Sequence, residues 1–213
     1  MYRILSILFI GASLFWLFNF AKKNNFSIME MINSFFNSLN LLFADIKNFK
    51  NYKYSEKLNF AKKLFYLVTL LLFLIMTISS MIPSVLFGDS LSGIFLLIHV
   101  TAAPIFALFL AVSAILYSHS FQFNKNDFSN LPTETSTKFS IIFNQNGKSK
   151  LVYWLFVLFS ISLMISTILN MFPLFGTDGQ LFLLEIHRYS ALILIILVIF
   201  HSGLISAMDK SRS

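Results

Sequence analysis

Five stretches of this chain are too long, too apolar and too nearly free of charge to belong to a water-soluble core. Four of them, residues 64–87, 91–118, 151–174 and about 181–208, each exceed the roughly 20 apolar residues a helix needs to cross about 30 Å of hydrocarbon. The remaining stretch, residues 4–21, is shorter and is the first run in chain order. Arg3 followed by an apolar stretch is also the pattern of a signal peptide, but bulky aromatics stand where a small-x-small cleavage site belongs. An uncleaved anchor is therefore the expectation. With 57% hydrophobic residues, 27 of all residues being Phe, and only 12% charged, an ordinary globular enzyme is excluded. The expected class is an all-α membrane protein. No internal repeat, low-complexity tract or soluble domain stands out at this level.

The formal charge of +7 does not imply nucleic acid, because the basic residues cluster between the apolar runs, where topology accounts for them. Lys22, Lys23, Lys47, Lys50, Lys53, Lys57, Lys62 and Lys63 fall between the first two runs. Lys125, Lys138, Lys148 and Lys150 fall in the 119–150 loop, and Lys210 and Arg212 in the tail. The short turns around Gly88-Asp89 and Gly176-Thr177-Asp178-Gly179 carry neither Lys nor Arg. The positive-inside rule then puts both long loops and the C-terminus in the cytoplasm. The expected organisation is an N-terminal transmembrane helix at 1–21, a cytoplasmic loop at 22–61, a four-helix domain at 62–208 and a cytoplasmic tail at 209–213. Residues 26–46 alternate Phe, Leu and Ile with Ser, Asn and Glu, the pattern of an amphipathic helix lying in the lipid interface.

Ionisable side chains at membrane depth are costly and mark function. His99 lies in the third run, and His187 and His201 lie in the fifth. The latter two are 14 residues apart, close to four helical turns, so they face the same way about 21 Å apart along the axis. That spacing suits two haems stacked across a bilayer, and His99 offers His187 a second imidazole at matching depth. Ala103 and Ala191 stand four residues after His99 and His187, small side chains on the same helix face that admit a flat macrocycle. Arg188, beside His187, is placed for a haem propionate. A lone intramembrane histidine is otherwise a structural hydrogen bonder. His119, at the end of the third run and on nearly the opposite face, reads as a surface residue. With no cysteine in the chain, thiolate and iron–sulfur ligation are excluded.

Three segments carry a resemblance: IHVTAAPIFALFLAVSAILYSH in the third run, FNQNGKSKLVYW entering the fourth, and LLEIHRYSALILIILVIFHSGL in the fifth. Across about residues 60–208 the chain resembles the di-haem cytochrome b subunits of membrane oxidoreductases, most of all the gamma subunit of respiratory formate dehydrogenase. The resemblance implies a four-helix cytochrome b bundle in a bacterial inner membrane, a catalytic subunit and an iron–sulfur subunit as partners, and quinone as substrate. It implies His99 and His187 as axial ligands of an outer haem b, so that the metal is haem iron. His201 becomes an inner-haem ligand beside a quinone pocket approached by Asn144, Gly147 and Lys148. The family's remaining inner ligand matches Tyr66 here, and no histidine lies between residues 1 and 98. The inner haem is then absent, held by His201 alone, or ligated through Tyr66 or His119.

Two other readings compete. The same scaffold serves hydrogenases and thiosulfate-type reductases, which differ in their electron donor. A non-redox transporter or assembly factor with structural histidines would be expected to show Gly/Pro-broken helices in paired halves, whereas only Pro104 lies well inside a run.

Overall fold

The computed structural model describes residues 2–49, 52–128, 143–172 and 174–210. Lys50, Lys138 and Arg212, which contribute to the charge argument above, lie outside the described residues, as does the end of the tail at 211–213. Helix α1 spans Tyr2–Lys23, α2 Ile28–Asn48, α3 Tyr54–Met81, α4 Gly93–Ser118, α5 Gln145–Asn170 and α6 Gly176–Lys210. Among the described residues five helices are long and apolar enough to cross a membrane: α1, α3 with its extension to Phe87, α4, α5 and α6. The chain is thus an all-α protein of multi-pass membrane character.

The helices begin earlier than the apolar runs wherever polar residues cap them. The fourth run was expected from 151, but α5 starts at Gln145 because the Asn144 side chain accepts the Gly147 backbone N–H at 2.8 Å. This satisfies one of the amides a helix start leaves without an intrahelical partner. Likewise α3 extends back from residue 64 to Tyr54, where Glu56 accepts the Lys53 backbone N–H at 2.8 Å. At its other end α3 widens into a π-helical turn, Ile82–Phe87. Pro83 lacks the N–H that would continue the α pattern, and the turn closes at Gly88 in the left-handed region, φ 78°. The amphipathic segment expected at 26–46 is helix α2, Ile28–Asn48. It is tied down by Asp45, which accepts from Lys63 Nζ at 3.1 Å and from the Tyr52 hydroxyl at 3.0 Å.

The chain divides into two compact units. One is Met29–Ser120, with most of α2, then α3 and α4; the other joins Tyr2–Ile28 to Phe121–Ser213, with α1, α5 and α6. In the first unit α3 packs on α4 through Leu67, Phe73, Met76, Phe106 and Leu110, all buried. The Thr69 and Ser113 hydroxyls meet between them at 3.0 Å. In the second unit α6 packs against both α5 and α1. Small residues set the approach on these faces, as expected where lipid removes the hydrophobic drive between helices. Ser6 and Ser160 are wholly buried, each returning its hydroxyl to a carbonyl one turn back. Gly203 of α6 receives Leu17 and Trp16 of α1, where a Cβ would lie only 2.9 Å from Leu17 Cδ1. Trp16 also meets Phe200 edge-on at 4.3 Å.

Gly203→Val is therefore expected to force α1 from α6 and to destabilise the protein by about 1–3 kcal/mol. The check is a lowered Tm in detergent, with Gly11→Val as the control. A Cβ at Gly11 meets nothing within 4 Å, so that variant should leave Tm unchanged.

Candidate histidine sites

His99 stands on α4, and its partner is a hydroxyl of α3. Ser79 Oγ donates to the Met76 carbonyl at 3.0 Å and lies 3.3 Å from His99 Nδ1. A hydroxyl has one hydrogen, and with it on the Met76 carbonyl Ser79 can only accept from the ring. That arrangement favours the His99 tautomer protonated at Nδ1, as does the Met76 carbonyl beside the ring, which can only accept.

His187 on α6 is held in the same way from α5. Thr167 Oγ1 donates to the Leu163 carbonyl at 2.9 Å and lies 2.8 Å from His187 Nδ1. The Leu163 carbonyl is itself 3.4 Å from that nitrogen. A carbonyl can only accept, so Leu163 and Thr167 together favour the N–H at Nδ1. Metal-ligating histidines are characteristically oriented this way, with the second ring nitrogen donating to an oxygen. Both rings are partly buried.

His201 differs. Its Nδ1 is buried and has no hydrogen-bond partner among the described residues, although the Ser149 backbone carbonyl lies beside the ring. The Phe121 ring is 6.0 Å away, itself stacked on Tyr153 at 4.0 Å. An unsatisfied buried acceptor or donor costs about 1–3 kcal/mol, so this nitrogen is a candidate for a ligand contact. Tyr66, the position matching the missing inner ligand, stands on α3 with its ring 6.0 Å from that of Tyr117. Arg188 lies 5.9 Å from the ring of Tyr2, an aromatic neighbour that its sequence position did not reveal. His119 is at the C-terminal cap of α4, as expected for an end-of-helix residue.

The Asn-x-x-Gly-Lys segment has evident structural work. Besides capping α5, Asn144 donates through Nδ2 to the Asn126 carbonyl, and a side chain at Gly147 would strike the Asp127 carbonyl oxygen and the Phe143 ring. Lys148 is partly exposed; the buried lysine is Lys150, 6% exposed. Its Nζ donates to Asp127 at 2.7 Å and to the Gln122 carbonyl at 2.9 Å. Asp127, 1% exposed, also accepts from Asn146 Nδ2 at 2.6 Å and the Asn124 backbone N–H at 2.7 Å. Sequence reasoning missed this carboxylate. Burial alone would push its pKa up, but Lys150, the Asn124 N–H and Asn146 outweigh it and hold it below the ordinary carboxylate value.

No group of three or more His, Cys, Asp or Glu gathers as a metal cage among the described residues. Compared with protein families, with characterised proteins and with solved structures, the chain matches none.

Lys150→Met leaves Asp127 buried and unpaired, and should destabilise the protein by about 3–5 kcal/mol, read as a lowered Tm in detergent. Because the folded-state pKa of Asp127 is depressed, its stabilisation is complete above the ordinary carboxylate pKa and is lost as pH falls through the folded value. The Tm gap between wild type and Lys150→Met should therefore narrow on acidification.

Proposed function

We propose that this chain is the haem b-binding membrane subunit of a respiratory oxidoreductase of the formate dehydrogenase type. In that role it passes electrons between a peripheral iron–sulfur subunit and quinone. The observation that carries the reading is the matched state of His99 and His187. Each ring meets, at Nδ1, a hydroxyl of the preceding helix, and a histidine held this way at Nδ1 would turn Nε2 to iron.

Haem b, when bound, supplies a one-electron iron couple whose potential follows its axial ligands and their hydrogen bonds. What the chain contributes is ligation, orientation and a low-dielectric surround. His99 and His187 would supply the two axial imidazoles, and Ala103 and Ala191, one turn along, leave room for a flat ring. Arg188 is the cation nearest His187 in sequence and would neutralise a propionate. His201, with its unsatisfied Nδ1, is the group offered to a quinone oxygen or to a second haem. Asn144, Gly147, Lys148 and Tyr66 are the further quinone-site residues of this proposal. Lysine placement supports an orientation with the C-terminus and the 119–150 loop in the cytoplasm of a bacterial inner membrane.

The test is a pyridine haemochrome assay on detergent-purified protein expressed with ample haem. We expect about one haem b per chain, lost in His99→Ala and in His187→Ala and retained in His119→Ala. His201→Ala should keep that haem and weaken quinone reduction. Wild-type protein without haem would overturn the reading in favour of a transporter or assembly factor. Two haems would mean that His201 ligates the second.

A further inference from the structure

The hydroxyl–imidazole device occurs twice in the same register. Ser79 precedes His99 by 20 residues, and Thr167 precedes His187 by 20. The step from Ser79 to Thr167 therefore equals the step from His99 to His187, 88 residues. Laid over itself at that step, the chain runs without a gap from residues 62–118 to 150–206. Shared apolar residues such as Met76 and Met164 weigh little, because both stretches are filled with Leu, Ile, Phe and Met. The positions that weigh are those where backbone geometry or chemistry narrows the choice.

Four such positions agree. Leu86-Phe87-Gly88 matches Leu174-Phe175-Gly176, and both glycines adopt the left-handed backbone, at φ 78° and 63°, after the first helix of each pair. Ile98-His99 matches Ile186-His187, and Ala103 matches Ala191. Ser79 matches Thr167, each donating to a carbonyl of its own helix, three and four residues back respectively. Hydroxyls bonded back to their own helix are common in apolar helices, and Thr101, Ser118 and Ser202 do the same here. Ser79 and Thr167 are distinguished by also meeting an imidazole on the next helix.

We infer that residues 62–118 and 150–206 are two copies of one helical hairpin, and that Ser79 and Thr167 are its matched positioning residues, each favouring the Nδ1–H tautomer of the histidine it meets. This revises the expectation that the chain lacks an internal repeat. The identity of the ligand as haem rests on the function proposed above; the repeat and the tautomers do not. The copies diverge at the other polar positions. His201 falls on Ser113, which bonds Thr69 instead, and Tyr66 falls on Trp154. Only one imidazole per hairpin is therefore shared between the copies.

The experiment uses the full-length chain in detergent, with ¹⁵N-labelled histidine observed by NMR before haem is added and haem affinity measured by titration. Ser79→Ala and Thr167→Ala should each abolish the Nδ1–H signature of its own histidine and weaken haem binding by about 10–100-fold, by similar factors. The exchanges Ser79→Thr and Thr167→Ser, each importing the residue of the other copy, should restore both readouts and guard against mere misfolding. If haem binds wild type and the alanine variants alter neither tautomer nor affinity, the positioning role falls and the haem proposal stands. If only one hydroxyl matters, the equivalence of the copies falls. If wild type binds no haem, the function proposed above falls, and the tautomer signals alone decide whether the hydroxyls position the rings.

Discussion

Hydrocarbon offers no hydrogen bonds, so every polar group carried into it must find its partner within the protein. In this chain that constraint reaches well beyond the helical backbone. Ser6, Ser13, Ser160 and Ser166 turn their hydroxyls back onto carbonyls of their own helices. Thr69 and Ser113 join across α3 and α4, and Ser162 and Ser190 meet across α5 and α6. With so few polar side chains in the spans, each one that reaches past its own helix reports a particular packing of two helices.

The same constraint prepares the histidines. A hydroxyl whose single hydrogen is held by a carbonyl can only accept from a neighbouring ring, so Ser79 and Thr167, with the Met76 and Leu163 carbonyls beside them, favour the proton at Nδ1 of His99 and His187. The preceding helix thus sets the chemistry of a side chain on the next, and the tautomer follows from hairpin packing. His201 has no such helper for Nδ1. Beside that ring lie the Ser149 backbone carbonyl and the Phe121 ring.

At the polar end of α5 the problem has a different solution. Asp127 and Lys150 are buried as an ion pair, and the carboxylate also accepts from the Asn124 backbone N–H and from Asn146. A buried pair repays its desolvation only when it is satisfied this fully. The cluster fixes 121–128 against the start of α5, assisted by the Trp154 indole N–H on the Phe121 carbonyl and by the bridge between Phe128 and Phe143. Asn144 and Gly147, expected beside a quinone, take part in this construction as cap and close-packed glycine.

Helix number and approximate extent were legible in the sequence because the length of an apolar run is a one-dimensional property. The starts of α3 and α5 were not, since polar residues carry them and only capping reveals that they belong to the helix. The histidines were legible because ionisable groups are conspicuous in an apolar run. Their hydroxyl partners were not: serine and threonine are scattered through every span, and which one meets a ring depends on how two helices are rotated against each other. The repeat was hidden for a related reason, its informative positions lying among leucines and phenylalanines that match by composition alone. The sequence by itself determined that the chain is a set of apolar helices carrying few polar groups, because hydrophobicity and run length act residue by residue. Only the tertiary structure decided which hydroxyl meets His99 and which meets His187, and that Asp127 closes on Lys150, because both depend on atoms brought together from separate parts of the chain.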